Sequence, residues 1–140
     1  MKKISLTGIK PTGTPHLGNY LGAIRPALDL TKTYDAVYFI ADYHALTTVQ
    51  NGAEMRENIY KVAATWLALG LNPEESLFYK QSDIPEIFEL SWALSCFTPK
   101  GFMNRAHAYK DKVAKNTAAG EDPDANVNMG LYCYPCLMDA

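Results

Sequence analysis

Gly8-Ile9-Lys10-Pro11-Thr12-Gly13-Thr14-Pro15-His16-Leu17-Gly18-Asn19-Tyr20-Leu21-Gly22 is the stretch from which the fold is read. Ahead of it, the alternating Ile4-Ser5-Leu6 reads as an N-terminal strand. Two prolines and two early glycines cannot continue that strand, so the chain must turn. After Pro15, the residues Leu17, Leu21, Ile24 and Leu28 fall at helical spacing. A strand, a glycine-bearing loop and a helix start together favour an anion, because the first helical N–H groups lack partners and the dipole end is positive. The loop is not a Walker loop, since Thr14-Pro15 follow Gly13 where Lys-Ser/Thr is required, and G-x-G-x-x-G is also absent. What opens the helix is His16-Leu17-Gly18-Asn19. It has two readings: a plain helix cap, which Asn favours, or two side chains one turn apart that donate to phosphate oxygens.

Outward from this loop, strands and helices alternate. The spacing predicts a helix to about Thr33, kinked or split at Pro26 by the missing backbone donor. Asp35 to Ala41 is a near-continuous apolar run, expected of a strand buried on both faces. Asn51 with Glu54 resembles a capping box. Met55, Ile59, Val62, Trp66 and Leu69 then form one helical stripe, ended by Gly70 and Pro73, and belong to the core. Leu77-Phe78-Tyr79 is a third strand. Asp83 with Glu86 is expected to start a further helix with Ile87, Leu90, Leu94 and Phe97 on one face, ended by Pro99. Strand–helix alternation implies right-handed crossovers and a parallel sheet, half of a doubly wound, Rossmann-like α/β fold. Ligands in such sheets bind outside the carboxyl ends of the strands. The loop after strand one and Asp42–Thr48 after strand two therefore share an edge, which gives His44 a binding role over a purely structural one.

The 140 residues suffice for one domain with a core, and 48% hydrophobic with 20% charged residues is ordinary for a globular chain. With 13 basic and 15 acidic residues the net charge is −2, so bulk charge does not mark a nucleic-acid binder. No apolar run of signal-peptide or membrane length occurs, and three cysteines suit a reducing cytoplasm. Five of the 13 basic residues, Lys100, Arg105, Lys110, Lys112 and Lys115, fall between positions 100 and 115. They form either a solvated face or the source of one mobile phosphate clamp. Asn116 to Asn128 is polar and reads as a flexible loop.

Two other patterns fail. Asp122-Pro123-Asp124-Ala125-Asn126 opens like a calcium loop, but Val127 replaces the required glycine and Cys133 the required Glu. Cys133-Tyr134-Pro135-Cys136 is a C-x-x-C whose set only Cys96 and His107 could complete for zinc, without a recognised spacing. No protein metal site is expected.

The stretch Gly8 to Ala23 closely resembles the first signature of class I aminoacyl-tRNA synthetases, in the variant of the tryptophanyl family with Asn19 last and Tyr20-Leu21-Gly22-Ala23 following. Ala41-Asp42-Tyr43-His44-Ala45-Leu46-Thr47 and Tyr132-Cys133-Tyr134-Pro135-Cys136-Leu137-Met138 are also similar to that family, so the resemblance runs the length of the chain. It implies an ATP-dependent activation of L-tryptophan to its adenylate and transfer to tRNA(Trp), with Mg2+ carried on the ATP phosphates and a homodimer as the working form. It implies His16, Asn19 and Lys112 as catalytic, Lys112 by likeness of Tyr109-Lys110-Asp111-Lys112 to a family element. Lys10, Pro11, Thr12, Gly18 and Asn19 are implied for ATP, and Leu6, Gly8, Ala41, His44 and Met138 for tryptophan. Where the family often has an aromatic residue and Gln, this chain has Leu6 and Lys10. The second signature, Lys-Met-Ser-Lys-Ser, is absent, as are the anticodon-reading helices, so residues 1–140 correspond to the N-terminal part of the catalytic domain, expected to be poorly active alone. Three alternatives stay open: a tyrosyl enzyme, a small H-x-G-H nucleotidylyltransferase, and a non-catalytic binding or dimerisation module.

Overall fold

The computed structural model describes residues 2–140. The chain divides into two compact units, Met1–Asp83 and Ile84–Ala140.

In the first unit, β1 (Lys3–Ile9), β2 (Tyr34–Ile40) and β3 (Leu77–Lys80) form one sheet in the order β1-β2-β3. Both pairings are parallel, with Gly8 opposite Phe39 and Phe39 opposite Tyr79. The α/β class and the parallel Rossmann-like half-sheet are therefore as the alternation of apolar segments implies.

Between β1 and β2 the chain is helical in three pieces. α1 (Leu17–Asn19) passes into a π-helical turn, Tyr20–Ile24, and then α2 (Arg25–Leu30). Pro26 has no N–H to give, and the break in register falls just ahead of it, where the wider π turn takes up the lost hydrogen bond. α3 (Asp42–Ala45) is a single turn after β2. α4 (Gly52–Ala68) starts at Asn51, whose Oδ1 accepts from the N–H groups of Ala53 and Glu54 at 2.9 and 3.0 Å.

The core lies between one sheet face and these helices. Ala36, Tyr38 and Ile40 of β2 meet Ile24, Ala27, Val62, Trp66 and Leu71. Tyr38 and Trp66 are fully buried with ring centroids 4.8 Å apart, and the Tyr38 hydroxyl donates to the Ala27 carbonyl at 2.8 Å. β2 is not buried on both faces, contrary to its apolar run. Ala36, Tyr38 and Ile40 are buried, whereas Val37 and Phe39 are half-buried, and the cross-strand neighbours of Val37, Leu6 and Leu77, are 62% and 60% exposed. The helices of this unit cover one face only, so the alternation of a one-sided strand appears.

The second unit is helical: α5 (Glu86–Phe97), α6 (Lys100–Met103), α7 (His107–Ala118) and α8 (Met129–Met138). Asp83 does not cap α5. It closes the 3-10 turn Gln81–Asp83, where its carboxylate accepts from the Lys80 N–H at 3.0 Å and pairs with Lys80 Nζ at 2.8 Å. The expected apolar face of α5 is only partly covered, with Ile87 and Leu94 half-buried but Leu90 47% and Phe97 86% exposed. Residue 116 belongs to α7 and not to a loop. Asn116 is buried, and its Nδ2 donates to the carbonyls of Pro123 and Ala125 at 3.0 and 2.7 Å, which ties the 119–128 segment to the helix. Cys133 and Cys136 lie one turn apart on α8 as free thiols.

Candidate nucleotide and amino-acid site

The carboxyl ends of β1 and β2 are tied together, since the Ala41 N–H donates to the Ile9 carbonyl at 2.9 Å. Beyond that link the first loop turns tightly, with the Thr12 N–H donating to the Lys10 carbonyl at 3.0 Å and Gly13 at φ 151°, a backbone geometry that favours glycine. Pro11 is fully buried and anchors the loop. A cavity of about 190 Å3 opens there, lined by Ile9, Lys10, Thr12, Gly13, Thr14, Pro15, His16, Asn19 and Val62.

His16 and Asn19 cap the helix reciprocally. The Gly18 N–H donates to His16 Nδ1 at 3.0 Å, and the His16 N–H donates to Asn19 Oδ1 at 2.9 Å. With Nδ1 acting as acceptor, the neutral imidazole carries its proton on Nε2. The Asn19 Oδ1 is likewise used, which leaves its Nδ2 as the donating atom. The cap thus leaves His16 Nε2 and Asn19 Nδ2 as the donating atoms of the two side chains. Gly18 has a local reason too: a Cβ there would stand 2.9 Å from His16 Cε1, so only glycine lets the ring fold onto the helix start.

Beside this loop, His44 is 3% exposed on α3, with Nδ1 and Gln81 Oε1 2.9 Å apart. The oxygen can only accept, so Nδ1 carries the proton and Nε2 has acceptor character. Burial chiefly lowers the His44 pKa, the Gln81 hydrogen bond opposes this, and the charge of Lys10 lowers it further. Lys10 is itself half-buried and its pKa is lowered by burial. Asp42 Oδ1 accepts from the N–H groups of Tyr43 and Ser82, both at 3.0 Å, and Oδ2 accepts from the Ser82 hydroxyl. This fixes the turn after β2 against the turn after β3. Gln81 and Ser82 were not singled out from sequence. Their signal is position, since they are the first polar residues after an apolar strand in a parallel sheet.

The first unit thus brings Lys10, Pro11, Thr12, His16, Gly18 and Asn19 together around one loop, with Ala41 and His44 at the adjoining strand end. Leu6 and Gly8 lie on β1, on the sheet face opposite Ile9. Lys112 is half-buried on α7, and Met138 ends α8 and is 58% exposed, both in the second unit. Among the described residues no group of three or more His, Cys, Asp or Glu side chains could hold a metal ion. No helix is long and apolar enough to cross a membrane.

Residues 2–140 match the family model described as tRNA synthetases class I (W and Y). A tryptophan–tRNA ligase from Pseudomonas aeruginosa is 59% identical over 137 residues, an alignment that takes in 96% of this chain and 31% of that protein. Tryptophanyl-tRNA synthetase from Campylobacter jejuni superposes with a TM-score of 0.85 at 45% identity, covering 99% of this chain and 41% of that one. Its complex with ADP and tryptophan gives 0.81 at 46%, covering 97% and 40%. The chain spans about a third of the length of the curated relative from P. aeruginosa.

Proposed function

Because the chain belongs to the class I tRNA synthetases of the W and Y family, we propose that it carries the adenylate-forming half-site of a tryptophan–tRNA ligase. The carboxylate of L-tryptophan attacks the α-phosphorus of ATP. A new C(O)O–P bond forms, the bond to the β-phosphate oxygen breaks, and pyrophosphate leaves with the electron pair. The terminal ribose hydroxyl of tRNA(Trp) then takes the acyl group and AMP departs. No protein nucleophile is needed, because the substrate supplies one, and the protein's work is alignment and stabilisation of charge on phosphate.

The observation that carries this reading is the capped loop. His16 and Asn19 spend their accepting atoms on the helix start and are left with donors at the mouth of the loop cavity. His16 Nε2–H and Asn19 Nδ2–H hold phosphate oxygens, with Lys10, Pro11, Thr12 and Gly18 forming the nucleotide wall. The Lys10 ammonium adds positive charge where the family often has a neutral amide. The cavity lining has no carboxylate, so Mg2+ arrives on the ATP phosphates and the protein adds no ligand from this loop. Leu6, Gly8, Ala41 and His44 wall the tryptophan side within the first unit. The working form is a cytoplasmic homodimer.

The test is amino-acid-dependent ATP–pyrophosphate exchange on this chain, with L-tryptophan and L-tyrosine in parallel. Slow exchange with tryptophan alone, lost in His16→Ala, is the expected result. Exchange driven by tyrosine instead overturns the substrate assignment, and exchange that needs no amino acid favours a nucleotidylyltransferase.

A further inference from the structure

We infer that Phe39, stacked on Tyr79 and reaching over Gly8, is the aromatic wall against which the amino-acid substrate's ring packs. The inference rests on the adenylate-forming reading above and deepens its substrate side.

Gly8, Phe39 and Tyr79 are register neighbours in one row across the three strands, near their carboxyl ends. The Phe39 and Tyr79 side chains share the sheet face that the helices of the first unit leave uncovered. The Phe39 and Tyr79 rings stack with centroids 5.8 Å apart and planes 25° from parallel. A Cβ built on Gly8 would stand 2.3 Å from Phe39 Cζ and under 3 Å from both Cε atoms. The far end of the ring therefore sits over the glycine, and any larger residue at position 8 would push it off. Phe39 and Tyr79 are half-buried, while Leu6 and Leu77 of the preceding row are exposed.

The face on which this occurs identifies the substrate. Ile9 and Val62, on the core side, line the loop cavity assigned to the nucleotide, whereas Gly8 and Phe39 point to the other side of the sheet. The nucleotide and the aromatic pair thus flank the same strand ends from opposite faces. That arrangement brings a second, planar substrate to the α-phosphate from the side away from the phosphate loop. It also accounts for the aliphatic Leu6: the aromatic surface on this face comes from β2 and not from β1. Flat rings at 4.5–7 Å gain energy beyond their buried area, and an aliphatic side chain of similar size does not supply that gain.

Equilibrium dialysis with labelled L-tryptophan and, separately, ATP on the wild-type chain, Phe39→Leu and Phe39→Trp tests it. Leucine retains bulk and burial, so a merely space-filling role predicts no selective change. The expected result is that Phe39→Leu weakens tryptophan roughly tenfold with ATP within about twofold of wild type, and that Phe39→Trp retains tryptophan binding. Unchanged tryptophan binding in Phe39→Leu overturns the inference, as does an equal loss of both ligands. A loss of ATP alone would place adenine on this wall and also overturn it. Wild-type chain that binds ATP but not tryptophan sinks this inference and spares the nucleotide site, and binding of neither sinks both.

Discussion

His44 is held neutral by its surroundings, and this has a pH consequence. Burial is the main cause that lowers its pKa in the folded chain, below the ordinary value of about 6.5 that it regains on unfolding. Above that value both states carry a neutral ring and folding is not opposed. As pH falls through 6.5 toward the lowered folded pKa, the unfolded chain takes up the proton first, so stability is lost on the acid side. Urea unfolding at pH 7.5 and 5.5 should show a larger acid loss for wild type than for His44→Gln, and equal losses would contradict this. The sequence marks His44 by its place after an apolar strand, but not Gln81, which sets its tautomer from 37 residues away. Likewise His16-x-x-Asn19 signals both a cap and an anion donor. Only the geometry shows that Nδ1 and Oδ1 serve the cap and that Nε2 and Nδ2 do not. Local spacing carries residue type, and long-range hydrogen bonds carry the protonation state.

At the scale of elements, the polar 119–128 segment depends on one residue of α7. Asn116→Ala removes two hydrogen bonds, to the carbonyls of Pro123 and Ala125. It should cost about 1–3 kcal/mol in the second unit and speed proteolytic cleavage between residues 119 and 128. An unchanged urea midpoint and cleavage pattern would show that the segment is held by other contacts. This anchoring is illegible in sequence, because a polar run with Gly120 and Pro123 has the composition of a free loop whether or not a side chain beneath it binds its carbonyls. The strands were legible from their short apolar runs, and α4 from Asn51 and the Met55-to-Trp66 stripe. Pro26 announced a break but not its form as a π turn. Asp83 beside Glu86 looked like a helix start, but Lys80 three residues earlier captures its carboxylate in the preceding turn.

At the scale of the whole chain, the sheet is apolar on both faces by sequence and covered on one by the helices of its own unit, which leaves Ile4 74%, Leu6 62% and Leu77 60% exposed. The amino-acid alternation of β2 could not reveal this, since Val37 and Phe39 are as apolar as the buried Ala36 and Ile40. Cavities open at both ends of the strands. The one at the amino ends is larger, about 520 Å3, and is lined by Lys2, Thr31, Tyr34, Asp35, Ala36, Val37, Glu75 and Leu77. Volume favours it and electrostatics do not, because Asp35 and Glu75 outweigh Lys2 and repel a triphosphate, while the smaller loop cavity offers Lys10 and the two capping side chains without a carboxylate. ATP is therefore expected at the carboxyl ends of the strands. Amide chemical-shift mapping of the 15N-labelled chain during an ATP titration tests this most directly. Shifts should centre on Lys10, Thr12 to Thr14 and His16 to Asn19, with Tyr34 to Val37 and Glu75 unmoved. Shifts centred on Tyr34 to Val37 and Glu75, or none with ATP in large excess, would contradict it.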